Sequence, residues 1–169
     1  MNEMRAWKLR PGSDENTVRN VLETGLIRLD YQVPNLRPDM DREELSTAIR
    51  THNPDRSDKG VQARAGQLVA LFGNVTKGDL AVVPRDKGKS MMIGEITSER
   101  PTVTGTYVEI QVSWIDGEVP LSRFDQDLRH SFMAIHKFCG VSRNNAPERL
   151  LRIAKGDPDP GFSGRMRSA

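Results

Sequence analysis

The chain has 169 residues, 36% hydrophobic and 28% charged, which suits one domain with tails and leaves enough apolar side chains for one core. No stretch approaches the roughly 18 consecutive apolar residues of a membrane helix. The single cysteine, Cys139, rules out an internal disulfide or a cysteine metal site, so a reducing, cytoplasmic setting is expected.

Net charge is only +2, from 25 Lys and Arg against 23 Asp and Glu. A nucleic-acid partner would therefore need a local basic surface rather than bulk charge. Residues 1–10 are charged, unlike a secretory leader.

Residues 5–10 alternate in polarity. This predicts a half-buried strand with Ala6, Lys8 and Arg10 on one face, Trp7 and Leu9 on the other, and a stop at Pro11-Gly12. Ser13 or Asp14 can cap a helix running to about Thr24, with Val18, Val21 and Leu22 as its apolar stripe and Gly25 as its C-cap. Residues 26–31 alternate again as a second strand, and residues 33–40, with two prolines, read as a loop.

Asp41 followed by Glu44 forms a capping box for a helix with Leu45, Ala48 and Ile49 inward. After a polar turn at residues 52–59, residues 60–74 carry Val61, Ala65, Leu68, Val69 and Phe72 at helical spacing. The period then changes. Lys77-Gly78-Asp79 turns into a strand over residues 80–84, and a charged hairpin loop with Gly88 follows. Strands over residues 91–97 and 106–114 complete a β-meander.

Residues 121–127 read as a loop that can start a short helix. Residues 134–141 read as a last strand, and Asn145 as the cap of a helix over residues 146–154 with Pro147 in its first turn. The sum is α+β: five to seven strands in a curled, mostly antiparallel barrel flanked by about four helices. This domain spans residues 1–155. Residues 156–169, rich in Gly and Pro, read as a flexible linker or tail.

Catalytic patterns are absent. A metal-dependent nuclease hairpin needs a lysine two residues after its second acid, but Glu95 is followed at that offset by Thr97 and Glu109 by Gln111. There is neither a phosphate-binding Gly-Lys loop nor a nucleophile elbow. His52, His130 and His136 lack metal-ligand spacing, and Cys139 fits a small buried apolar residue. The chain is not expected to be an enzyme, and no metal or cofactor is expected.

What remains is a binding constellation. Aromatic side chains at strand ends can stack on a base, and nearby amide and carboxylate groups can address its edge. The candidates are Tyr31, Trp114, Trp7, Asp30, Asn35, Gln126 and Asp125. Phosphate contacts are expected from Lys8, Arg10, Lys59, Arg64, Arg85, Lys87, Lys89, Arg123 and Arg129. Core packing is the competing reading for Trp7 and Trp114, and helix capping for Asp125.

Several segments carry a family resemblance: Ala6-Trp7-Lys8-Leu9-Arg10-Pro11-Gly12, Ala65-Gly66-Gln67-Leu68, Lys77-Gly78-Asp79-Leu80-Ala81-Val82-Val83, Ile93-Gly94-Glu95-Ile96 and the run from Val119 to Leu128. In order and spacing the chain resembles the PUA-like superfamily, its EVE and YTH branch. Most closely, it resembles the N-terminal domains that precede Mrr-type nucleases in modification-dependent restriction proteins.

The resemblance implies an EVE-like pocket for a flipped, methylated cytosine or adenine. It also implies a DNA partner and a fused or associated nuclease in an antiphage restriction system. Three alternatives stay open: an RNA or modified-RNA reader, a small-nucleotide sensor, and a protein-interaction module.

Overall fold

The computed structural model describes residues 3–11, 15–133 and 137–161; for Glu15, Asn16 and Val18 it describes the backbone alone. Among them are eight strands and five α-helices. In chain order these are β1 (Ala6–Leu9), α1 (Glu15–Thr24), β2 (Leu26–Asp30), α2 (Arg42–His52), α3 (Asp58–Asn74), β3 (Leu80–Arg85) and β4 (Ser90–Ile96). Next come β5 (Thr102–Thr104), β6 (Tyr107–Trp114), β7 (Val119–Pro120), α4 (Gln126–Phe132), β8 (Phe138–Gly140) and α5 (Ala146–Ala154).

The sheet runs β2-β6-β4-β3-β1-β8, with β5 on β6 and β7 on β4, and curls into a half-barrel. It is mixed. β1 and β3 are parallel, with Ala6 opposite Leu80 and Lys8 opposite Val82, while the other pairings are antiparallel. The expected meander is present as β3-β4-β6.

The caps account for where several helices begin. Asp41 accepts from the Glu44 amide at 2.8 Å and Glu44 returns a bond to the Asp41 amide, so α2 starts on the expected capping box. Ser57 caps α3, which begins two residues earlier than its apolar stripe suggests. Gly25 ends α1 at φ +71, where a Cβ would stand 2.4 Å from the Val112 carbonyl oxygen. Any side chain there would force β2 away from β6. The proposed caps Ser13 and Asp14 and the side chain of Val18 lie outside the described residues. So do residues 134–136 of the expected last strand.

The sheet separates two cores. One face packs Trp7, Leu9, Ala81 and Val83 against α1, α2 and α3. The other packs Ala6, Leu80, Val82 and Ile93 against α4 and α5. Central strands covered on both faces read as continuous apolar runs, as Leu80-Ala81-Val82-Val83 does.

The same topology corrects the reading of β1. All four of its residues are buried, because β3 and β8 flank it and helices cover both sides. Lys8, expected on a solvated face, is 0% exposed.

Val69 is exposed, and Leu71 takes the interior position instead. Asn145 sits in the left-handed region at φ 59 and makes no side-chain cap. The segment after α5 is not free from residue 156: residues 157–161 fold back onto the domain. There the Asp157 carbonyl accepts from Arg123 at 3.0 Å, and Asp159 binds Arg149 and the Asp125 amide.

Candidate nucleic-acid interface

Six of the 25 Lys and Arg side chains are held in ion pairs among the described residues. Arg28 pairs with Glu109, Arg37 with Asp39 and Glu44, Arg50 with Asp58, Lys77 with Glu99, Arg85 with Glu118, and Arg149 with Asp127 and Asp159. Arg10, Arg56, Arg64 and Lys137 stand apart. All four are part-buried, and none makes an ion pair among the described residues.

These four come from distant parts of the chain. Arg10 follows β1 and Lys137 precedes β8, and the Arg10 amide donates to the Lys137 carbonyl at 2.8 Å. Arg64 lies on α3, and Arg56 in the turn that precedes that helix. Burial pulls the Arg64 guanidinium below its ordinary pKa, Arg56 adds to this, and Tyr31 and Asp30 oppose it. Lys137 is likewise lowered by burial and by Arg64 and Arg56, and supported by Asp30. Three cations thus feel one another around one carboxylate, an arrangement that an incoming anion would relieve.

The aromatic candidates take other roles. Tyr31 is buried at 3% exposure, donates from its hydroxyl to Gln67 Oε1 at 3.2 Å and carries the Arg64 guanidinium 5.5 Å above its ring. Burial raises its phenol pKa well beyond the ordinary value. It is a core residue supporting Arg64, not an open stacking wall.

Trp7 stacks on Phe138 with ring centroids 5.0 Å apart and donates from its indole to Asp79 at 2.9 Å. Trp114 is half-buried over Gly94, with its indole nitrogen 3.4 Å from the Val21 carbonyl. The Tyr31 amide bonds to Thr106, at one end of β6, while Trp114 closes the other end. Roughly 25 Å of strand separates them, so the pair does not form one cage.

The polar candidates scatter. Asp30 ends β2 beside the basic group, and its Oδ1 accepts from the Gln32 amide at 2.9 Å. Asn35 is exposed in the loop after β2, with φ 61. Asp125 caps α4 through the Gln126 amide at 2.7 Å, and the Gln126 side chain is exposed beside it.

Among the expected phosphate contacts, Arg64 belongs to this group and Arg10 is tied to Lys137 through its backbone amide, while Lys59 is exposed at the start of α3. Lys8 is inside the fold, across β1–β8 from Cys139. Its ammonium pKa is lowered by burial, with Cys139 opposing and Arg10 assisting. Cys139 is half-buried, and burial pushes its thiol up, away from nucleophilic character.

Lys87 and Lys89 are exposed on the β3–β4 hairpin, and Arg85 there is held by Glu118. The parallel register of β1 and β3 puts this hairpin at the same end of the sheet as Arg10. The Leu121 amide donates to the Lys89 carbonyl at 2.8 Å, which brings the turn carrying Arg123 alongside the hairpin. Arg129 is exposed on α4. Arg56 and Lys137 were missed by the sequence reading. One sits in a polar turn and the other just before the last strand, so nothing local marks them.

A cleft of about 490 Å³ opens at the opposite end of β1, floored by Trp7 and Gly140 and rimmed by Glu3, Arg5, Asn145 and Glu148. Two carboxylates against one guanidinium make it a poor seat for phosphate, despite its size. Among the described residues no group of three or more His, Cys, Asp and Glu is placed to hold a metal ion. No helix among the described residues is long and apolar enough to cross a membrane. No protein-family model and no curated protein matches the chain.

Proposed function

We propose that this domain binds DNA, holding the sugar-phosphate backbone on the patch of Arg10, Arg56, Arg64 and Lys137. The supporting observation is that Arg56, Arg64 and Lys137 feel one another's charge, with Asp30 acting on Arg64 and Lys137 and with Arg10 bonded to Lys137 through the backbone, and that these part-buried cations make no ion pair among the described residues. Phosphate contacts position a strand, and an extruded base can then be presented to Asp30 at a cost of a few kcal/mol.

The PUA-like motifs favour a methylated base as the ligand. They also favour a restriction setting in which a nuclease, fused or associated, cuts what this domain selects. Lys87 and Lys89 extend the phosphate track from the hairpin at the same sheet end as Arg10.

The test is fluorescence anisotropy on matched duplexes, unmodified, cytosine-methylated, hydroxymethylated and adenine-methylated, at two salt concentrations. Binding should weaken steeply with salt. Arg56→Ala, Arg64→Ala and Lys137→Ala should each flatten the log–log salt slope by about 0.9 for every phosphate the variant no longer neutralises. Wild-type protein that binds none of the duplexes, or variants that leave the slope unchanged, would overturn the proposal.

A further inference from the structure

We propose that Asp30 makes this patch selective for bases that carry an exocyclic amine, namely cytosine, adenine and guanine, over thymine. The inference rests on the nucleic-acid reading above and concerns the same site.

A surface built only to hold phosphate gains nothing from a carboxylate in its midst, since like charges a few ångströms apart repel. Asp30 is nonetheless fixed there. It is the last residue of β2, opposite Tyr107 of β6. Its Oδ1 is pinned by the Gln32 amide at 2.9 Å, in a turn where Gln32 takes the left-handed conformation at φ 59. The turn thus orients the carboxylate and leaves Oδ2 without a hydrogen bond to another described residue.

Arg64 and Lys137 both feel the charge of Asp30, yet neither closes to ion-pair distance. Asp30 is therefore an oriented acceptor beside a phosphate seat, not a partner consumed by it.

An acceptor of this kind selects by chemistry. The N4 amine of cytosine, the N6 amine of adenine and the N2 amine of guanine donate to a carboxylate. Thymine offers a carbonyl where cytosine or adenine offers the amine, and two oxygens would face each other. Methylation at C5 of cytosine leaves the amine intact, and a single methyl on adenine N6 leaves one N–H. The inference is thus compatible with a methylated ligand.

The experiment compares fluorescein-labelled single strands of eight dC and eight dT residues by anisotropy, with wild-type protein and Asp30→Asn. Circular dichroism melting confirms that the variant is folded. Wild type should bind the dC strand about tenfold more tightly, the scale of one hydrogen bond to a charged group.

Asp30→Asn removes a negative charge and supplies an amide donor. The dT strand should then bind more tightly than it does to wild type, and the dC preference should vanish or reverse. Equal wild-type affinity for the two strands, or a dC preference retained by Asp30→Asn, overturns this inference alone. Failure of wild-type protein to bind either strand or any duplex overturns the nucleic-acid reading itself.

Discussion

Arg149→Met should cost this domain about 3–5 kcal/mol in a urea unfolding experiment, the usual penalty for stripping one partner from a buried ion cluster. Arg149 is 2% exposed and makes a forked pair with Asp127, at 2.6 and 2.8 Å, and a second with Asp159, at 2.8 and 2.9 Å. Asp159 also takes the amides of Asp125 and Gly161. One guanidinium on α5 therefore ties α4 and the segment after α5 to the second core. Methionine fills the volume but leaves two carboxylates facing each other in a poorly solvated site.

The cluster predicts acid sensitivity with a definite sign. Arg149 holds Asp127 far below the ordinary carboxylate range. Burial pushes Asp159 up, but its hydrogen bonds from Arg149 and two amides outweigh that, and it too is lowered. A carboxylate whose folded pKa is depressed stabilises the fold fully above its unfolded value, about 4. That contribution is lost as pH falls through the folded value.

The stability gap between wild type and Arg149→Met should therefore be widest near neutrality, begin to shrink above about pH 4 as the variant's facing carboxylates take up protons, and shrink further below it as wild type loses its paired carboxylates. A triple variant with Leu at positions 127 and 159 should recover much of the loss, because an apolar trio needs no desolvation. A loss under about 1 kcal/mol for Arg149→Met would show that water repays the missing partner.

Much of this architecture could be read from local pattern. The amphipathic period of α2 and α3, the Asp41–Glu44 box and the β3–β4–β6 meander depend on neighbours within a few residues, and they appear where expected. The failures share one cause. Whether an alternating segment has a wet face depends on what packs over it from far along the chain.

Lys8 looked solvated because nothing local shows that α4 and α5, more than a hundred residues on, cover its side of the sheet. Tyr31 looked open at a strand end for the same reason, since α3 supplies its lid through Arg64 and Gln67. The basic patch is half legible: Arg10 and Arg64 stand out as cations in the sequence, but Arg56 and Lys137 join Arg64 only through the fold. The Arg149–Asp159 pair is invisible in the sequence, because a Gly- and Pro-rich stretch reads as a linker unless the guanidinium that receives Asp159 is known.

Trp7 offers a separate test of core against cage. Trp7→Leu should destabilise the domain by about 2–4 kcal/mol yet leave DNA affinity within about twofold at temperatures where the variant is folded. The stability cost has three sources. The indole stack on Phe138 is lost, and a cavity opens in the first core that leucine cannot fill. Asp79, 3% exposed, loses the 2.9 Å bond from the indole nitrogen and keeps only the Thr76 and Arg5 amides.

The affinity should hold because Trp7 belongs to the core face of β1, and its indole is committed to Phe138 and Asp79. A tryptophan that stacked on an extruded base would behave in the opposite way. Its replacement by leucine would forfeit about 1–3 kcal/mol of binding, several-fold to a hundredfold in Kd. Unfolding curves and anisotropy measured on the same preparation separate the two, since a structural residue moves the first and a stacking residue moves the second.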